Sequence, residues 1–214
     1  MQETDNFKNV FQFEIVENNQ AVTIDENRGK AKIRHLNIIS GGINMFLLRE
    51  NFSCQLTTHF KKSSHCTRNA DGVVLFEQSG EKSMMLFELK SSGSGVFDTA
   101  YQQTFATYMK TCMAMSICED FNINNFRVYF IFTAQDGPEL ALRRNELEQI
   151  ETDQMDFYCD VKLRLLKGEK VRFRMNQIPH NCSFLHHTLV EKEVECVLLT
   201  SPTDNINFDI NSLI

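Results

Sequence analysis

Asp71, Glu88 and Lys90 are the residues of this sequence whose types and spacing best suit chemistry. They bracket the stretch DGVVLFEQSGEKSMMLFELK, in which a turn centred on Ser79-Gly80 separates two apolar segments. Two carboxylates held close together repel each other unless a cation neutralises them or one takes up a proton. Mg²⁺ or Mn²⁺ meets that need with oxygen ligands, polarises a phosphoryl oxygen and activates a water. Lys90 would orient that water or neutralise charge in the transition state.

The geometry of this group depends on the hairpin register. With a loop of two or four residues, the numbers of paired residues sum to 159, and Asp71 lies directly opposite Glu88. Side chains alternate along a strand, so Lys90 shares the face of Glu88 and Leu89 points to the other side. A three-residue loop would place the two carboxylates on opposite faces. The alternative interpretation is a cross-strand ion pair, with Glu88 and Lys90 solvated at a strand end.

Hydrophobic spacing predicts the elements that must position these residues. In chain order they are an N-terminal hairpin over 11–24, a helix near 36–47, a strand over 52–60, the hairpin strands, an amphipathic helix over 97–115, a buried strand over 126–134, a short helix from Pro138, and strands in most of the remainder. The core order is therefore α-β-β-β-α-β, an α/β layer arrangement with β additions at both ends. We divide the chain into an N-terminal β extension (1–34), a core (35–134) and a C-terminal α/β extension packed on that core (135–214).

The motif and the order of elements together resemble the PD-(D/E)XK nuclease superfamily over residues 35–134. The resemblance implies a restriction-endonuclease-like mixed sheet flanked by helices, with extra β-hairpins at both ends of the chain. It implies that Asp71 and Glu88 ligate the metal with help from the Leu89 carbonyl, and that Lys90 is catalytic. The family's proline before the aspartate is replaced by Ala70.

Two further positions follow from the resemblance. Many members carry an acidic residue on the first helix, and Glu50 is the nearest candidate. Some carry a glutamine on the second helix with a tyrosine four residues later. Gln103 matches the glutamine and is a candidate for orienting Lys90 or a phosphate, but Thr107 stands where the tyrosine would be. An ordinary exposed glutamine is the alternative.

A second group of charged residues lies in VKLRLLKGEKVRFRM. Read as a hairpin, this stretch places five basic side chains on one face, a candidate surface for a nucleic-acid backbone. They are Lys162, Arg164, Lys170, Arg172 and Arg174. The alternative is a solvated outer face that Glu191–Glu195 balance from a neighbouring strand.

Composition narrows the class of protein. The chain has 214 residues, a formal net charge of −6 and seven cysteines without a CxxC pair, which is typical of a protein with reduced thiols in the cytoplasm. No apolar run approaches the roughly 18 residues of a membrane span. We therefore expect a cytoplasmic, Mg²⁺- or Mn²⁺-dependent endonuclease of restriction, repair or defence, with DNA favoured over RNA and a homodimer or partner protein compatible with the sequence. The alternatives are an inactive binding or assembly module of the same fold and a metal-dependent enzyme acting on small nucleotides.

Overall fold

Two β-sheets and five α-helices make up the described part of the chain. The computed structural model describes residues 15–26, 32–57, 65–89, 97–151, 153–178 and 187–213. The strands are β1 (Ile15–Asn18), β2 (Ala21–Asp25), β3 (His35–Ile39), β4 (Met45–Arg49), β5 (Gly72–Gln78), β6 (Glu81–Leu89), β7 (Phe126–Gln135), β8 (Val171–Arg174), β9 (Glu193–Ser201) and β10 (Asn205–Asp209). The helices are α1 (Glu50–Thr57), α2 (Asp98–Met115), α3 (Pro138–Glu148), α4 (Phe157–Leu166) and α5 (His187–Val190).

The larger sheet is mixed and has seven strands in the order β1-β4-β5-β6-β7-β9-β8. Strands β4, β5 and β6 form an antiparallel meander, and β6, β7 and β9 run parallel. Helix α2 connects β6 to β7, and α3 and α4 lie between β7 and β9 in the chain. The protein therefore has an α/β fold with a mixed sheet flanked by helices, as predicted. Strands from the C-terminal region extend this same sheet.

The second sheet has three strands in the order β10-β3-β2, and each face of the larger sheet carries its own apolar layer. Helices cover one face, which includes Leu86, Phe130 and Phe132. The small sheet covers the other face, which includes Phe87 and Ile131. The prediction that 126–134 forms a central strand covered on both faces is confirmed, because consecutive residues of β7 enter opposite layers.

The first two core elements were predicted with their types interchanged. Residues 36–47, expected as a helix, form β3 and β4 on either side of a turn at Gly41-Gly42. Residues 50–57, within which a strand was expected to begin, form α1. The alternating burial of β3 matches a strand with one covered face. In α1, Phe52 is buried and Leu56 packs beside it on the same apolar layer, at the four-residue spacing of a helix face.

The hairpins expected at the chain ends also differ from the prediction. Strands β1 and β2 flank a turn in which Asn18 Oδ1 accepts a hydrogen bond from the Gln20 amide at 2.7 Å. They do not pair with each other, because β1 adds to β4 in the larger sheet and β2 adds to β3 in the smaller one. At the other end, β10 likewise leaves β9 to pair with β3. The chain thus crosses between the two sheets three times, after β1, β3 and β9, which joins the sheets into one core.

Phe130 lies at the centre of the helix-side layer. Its replacement tests how much that layer contributes to the stability of the fold. Its ring is fully buried, 5.8 Å from that of Tyr101 and 6.4 Å from that of Tyr108 between centroids. We expect Phe130→Ala to lower the free energy of unfolding by about 3–5 kcal/mol, since the cavity cannot collapse against a rigid sheet. Leu142→Ala on exposed α3 is the control and should change it by less than about 0.5 kcal/mol. Equal urea midpoints for the two variants would contradict this view of the core.

Candidate metal and phosphodiester site

The hairpin register that brings the two carboxylates to one sheet end is confirmed. Glu77 pairs with Lys82 and Gly72 with Phe87, so paired residue numbers sum to 159. The turn has two residues, Ser79 and Gly80, with φ of 53° and 82°. Positive φ at both central positions is the conformation whose twist matches a two-residue hairpin. The three-residue loop that would have separated the carboxylates is therefore excluded.

Asp71 and Glu88 lie on the helix-covered face at the end of the β5–β6 pair. Glu88 is 0 % exposed and, by alternation, follows Leu86 into the helix side, whereas Leu89 belongs to the layer under the small sheet. Asp71 is 6 % exposed and lies just beyond the last ladder pair. Its amide donates to the Phe87 carbonyl at 2.9 Å, and its Oδ2 accepts from the Leu89 amide at 2.6 Å. The Asp71 carboxylate is thus tied to the strand that carries Glu88.

The polar face of α2 holds the segment that leads into Asp71. Gln103 Nε2 donates to the Asn69 carbonyl at 2.8 Å, and Thr107 Oγ1 accepts from the Ala70 amide at 2.8 Å. One turn further, Lys110 Nζ donates to the Arg68 carbonyl at 2.6 Å. Three helix residues spaced four and three apart therefore fix three successive backbone residues, and the position of Asp71 follows from them.

Lys110 is fully buried, and its ammonium bridges the loop to α1. In addition to the Arg68 carbonyl, its Nζ donates to Thr57 Oγ1 at 3.0 Å and to Asn69 Oδ1. These acceptors are neutral, and burial lowers the pKa of Lys110 to about 8, an effect that the nearby Cys54 and Cys66 thiols partly oppose. Burial raises the pKa of the Cys66 thiol, and the positive charge of Lys110 partly offsets that increase.

Gln103 lies on a polar helix face, as the sequence predicts, but its side chain contacts the Asn69 carbonyl, whereas Lys90 or a phosphate was the expected partner. The anchoring contacts of Asn69 and Thr107 were not predicted from the sequence. The available signal was the polar spacing of 103, 107 and 110 on a helix that also carries an apolar stripe. Lys90 lies outside the described residues, and Glu50 begins α1.

The basic face predicted over 162–174 is not formed, because residues 157–166 are helix α4 and not a strand. Asp156 begins that helix by accepting a hydrogen bond from the Cys159 amide at 2.7 Å, and this contact lowers the pKa of Asp156. Lys162 is buried with its ammonium 4.1 Å from the centre of the Tyr158 ring. Arg164 pairs with Glu169 at 2.8 Å. These two residues therefore do not share a strand face with the other three.

The remaining three basic residues contact other parts of the chain. Lys170 donates to the Ser212 carbonyl at 2.8 Å. Arg172 and Arg174 lie on β8 opposite Glu195 and Glu193 of β9, and a salt bridge joins Arg172 to Glu195 and raises the pKa of the arginine. The alternative in which acidic residues of a neighbouring strand balance this face is thus correct for Arg172.

Comparison with protein-family models, curated proteins and solved structures gave no match. Among the described residues, no three His, Cys, Asp or Glu side chains gather into a metal-binding group, and no helix is long and apolar enough to cross a membrane. The six cysteines within the described ranges form no disulfide. The interpretation of the site therefore depends on its own geometry, with two buried carboxylates at one end of a sheet.

Thr107 allows a test of how strongly α2 anchors the loop. Thr107→Val removes the acceptor of the buried Ala70 amide with little change of shape, and we expect a loss of about 1–3 kcal/mol in the free energy of unfolding. Thr104→Val is the matched control, because within the described part of the chain the Thr104 hydroxyl donates to carbonyls of its own helix, at Ala100 and Tyr101. Urea denaturation should show the larger loss for Thr107→Val, together with faster hydrogen exchange at Ala70. The reverse order would refute the anchoring role.

The lowered pKa of Lys110 predicts a specific pH dependence of stability. Its pKa is about 8 in the folded chain and about 10.4 when unperturbed, so between these values the unfolded state binds more protons. The Lys110 contribution to the free energy of unfolding therefore rises with pH across that window, on the order of 3 kcal/mol in total. Lys110→Met should lack this rise in urea titrations at pH 7.5 to 10.5, and Lys82→Met at the half-buried start of β6 serves as control. Parallel pH profiles for wild type and Lys110→Met would contradict the assignment.

Proposed function

We propose that this protein is a metal-dependent nuclease that hydrolyses phosphodiester bonds, with Asp71, Glu88 and Lys90 at its centre. The observation that carries the proposal is the pair of buried carboxylates on one face of one sheet end, with the Leu89 amide bonded to Asp71. Charged groups of the same sign are rarely buried near each other without a cation or a proton between them. The meander β4-β5-β6 followed by α2 and parallel β7 supports the restriction-endonuclease-like part of the proposal.

The donor chemistry fits Mg²⁺ or Mn²⁺. Asp71 and Glu88 would supply carboxylate oxygens and Leu89 a backbone carbonyl oxygen, which are ligands that both ions accept. When bound, the ion would polarise the phosphoryl oxygen and lower the pKa of a bound water. Residues of the chain would hold the metal-binding carboxylate of Asp71 in position. The Leu89 amide fixes one oxygen of Asp71, and the α2 contacts at Asn69 and Ala70 hold the segment before it.

Lys90 would act beside these carboxylates. Lys90 stands two positions after Glu88 in the sequence, and its ammonium would orient the attacking water and neutralise charge on the phosphate. Gln103 would support this arrangement indirectly, through the loop that it holds. The proposal includes DNA as the favoured substrate over RNA and a cytoplasmic location, the latter supported by six described cysteines without a disulfide.

A cleavage assay tests the proposal directly. Wild type should cut single- or double-stranded DNA, or RNA, with Mg²⁺ or Mn²⁺ and not with EDTA. We expect Asp71→Asn, Glu88→Gln and Lys90→Ala each to lower the rate by at least about a hundredfold, because each removes a charge that acts on the reacting phosphate. Glu77→Gln and Lys82→Ala are matched controls, since they remove the same charges at the other end of the same hairpin.

Calorimetric titration with Mn²⁺ separates the remaining outcomes. Mn²⁺ binding that disappears in Asp71→Asn, without cleavage of any polymer, would point to a small-nucleotide substrate or a missing partner. Neither Mn²⁺ binding nor cleavage would overturn the nuclease and leave a binding module of this fold. Cleavage that persists in Lys90→Ala would show that the site has been misplaced.

A further inference from the structure

A cavity of about 290 Å³ opens at the ends of β7 and β9, between α3 and α4. Its lining includes Asp136, which follows β7, and Leu198 and Thr200 on β9. The lining also includes Leu140 and Arg144 of α3 and Lys167 at the end of α4. Neither the carboxylate site nor the proposed chemistry uses any of these residues.

The cavity and the carboxylate site share a face and an edge of the sheet. Glu88 pairs with Phe132, and Phe132 pairs with Leu198, so the three residues form one row across β6, β7 and β9. All three side chains belong to the helix-covered face. Thr200 lies two residues further along β9, towards the carboxyl ends of the parallel strands. Strand spacing and rise place its Cα about 12 Å from that of Glu88.

The cavity lining combines an unpaired cation with apolar surface. Arg144 has no ion pair in the described part of the chain, whereas its neighbour Arg143 pairs with Glu146 at 2.8 Å. Lys167 Nζ lies 3.4 Å from Glu148 Oε1, and both side chains are nearly half exposed. Solvent therefore screens this ion pair, and Lys167 can also bind an anion. Leu140 and Leu198 offer apolar surface to a flat ring, and Asp136 can accept from an amino or hydroxyl group.

We propose that this cavity is a subsite for one nucleotide of a polynucleotide substrate, a few nucleotides from the phosphate that is cut. Arg144 and Lys167 bind its phosphate, the leucines contact its base, and Asp136 accepts a hydrogen bond from its base or sugar. The offset of about 12 Å is several times the axial rise of about 3.4 Å per phosphate of one strand, so the subsite and the cut phosphate belong to different nucleotides. This inference depends on the proposed nuclease function and narrows its substrate to polymers, because a mononucleotide cannot occupy both positions.

Charge reversal at two adjacent arginines provides the test. Binding of a labelled DNA oligonucleotide, its RNA counterpart and a dinucleotide to the full chain is measured by fluorescence anisotropy, with Ca²⁺ in place of Mg²⁺, over a series of salt concentrations. Arg144→Glu should weaken oligonucleotide binding about tenfold and reduce the salt slope by about one, because one phosphate contact is lost. Arg143→Glu carries the same charge change outside the cavity and should have a much smaller effect. Dinucleotide binding should not respond to either substitution.

The outcomes separate the subsite from the nuclease. Equal weakening by Arg143→Glu and Arg144→Glu would reflect general charge and overturn the subsite, as would equal weakening of dinucleotide and oligonucleotide binding. Cleavage and binding that are both unaffected by Arg144→Glu would overturn the subsite and leave the nuclease intact. A wild-type protein that binds and cuts no polynucleotide would overturn both. Thermal melts of both variants confirm folding, which substitution at these two positions should preserve because neither arginine is buried.

Discussion

Burial of the Lys110 ammonium is the constraint on which the framework of the site depends. An ammonium removed from water is tolerated only where its protons meet acceptors. Thr57, Arg68 and Asn69 supply those acceptors, from α1 and from the loop that leads to β5. One charge therefore holds together three segments that are distant in the sequence. Because these three acceptors are neutral, they do not offset the cost of removing the charge from water, and burial lowers the pKa of Lys110 to about 8.

The loop transmits that constraint to the carboxylates. Arg68, Asn69 and Ala70 are bonded to α2 one after another, and Asp71 is then bonded to β6 through both its amide and its side chain. Each of these hydrogen bonds satisfies a buried or half-buried polar group, so a shift of the loop would lose several of them at once. These contacts restrain an irregular segment, which suits a residue that must hold an oxygen in place.

The parts of the fold that could be predicted are those where two local signals agree. In the hairpin, period-two alternation and a Ser-Gly turn specify the same register, and α2 has a clear apolar stripe. The elements of residues 36–57 were predicted wrongly, because short apolar runs fit both the helix period and the strand period. Pairing with the distant strands β2 and β10 decides that β3 is a strand. The alternation of Lys162 and Arg164 was ambiguous for the same reason. The contacts of Lys110 and Thr107 could not be predicted, because their loop partners are about forty residues away.

The two faces of the larger sheet differ in how closely other elements pack against them near the carboxylates. Gly72 follows Asp71, and a Cβ added there would come within 2.8 Å of Ile24 Cδ1, so its lack of a side chain lets the small sheet approach closely. Leu89 is buried on that side, and Phe87 packs edge-on against Phe208 with centroids 6.3 Å apart. Among the described residues, the small sheet closes this face over the carboxylates. A ligand of the proposed site would therefore approach along the helix-covered face, and a polynucleotide bound there would extend across the ends of β7 and β9.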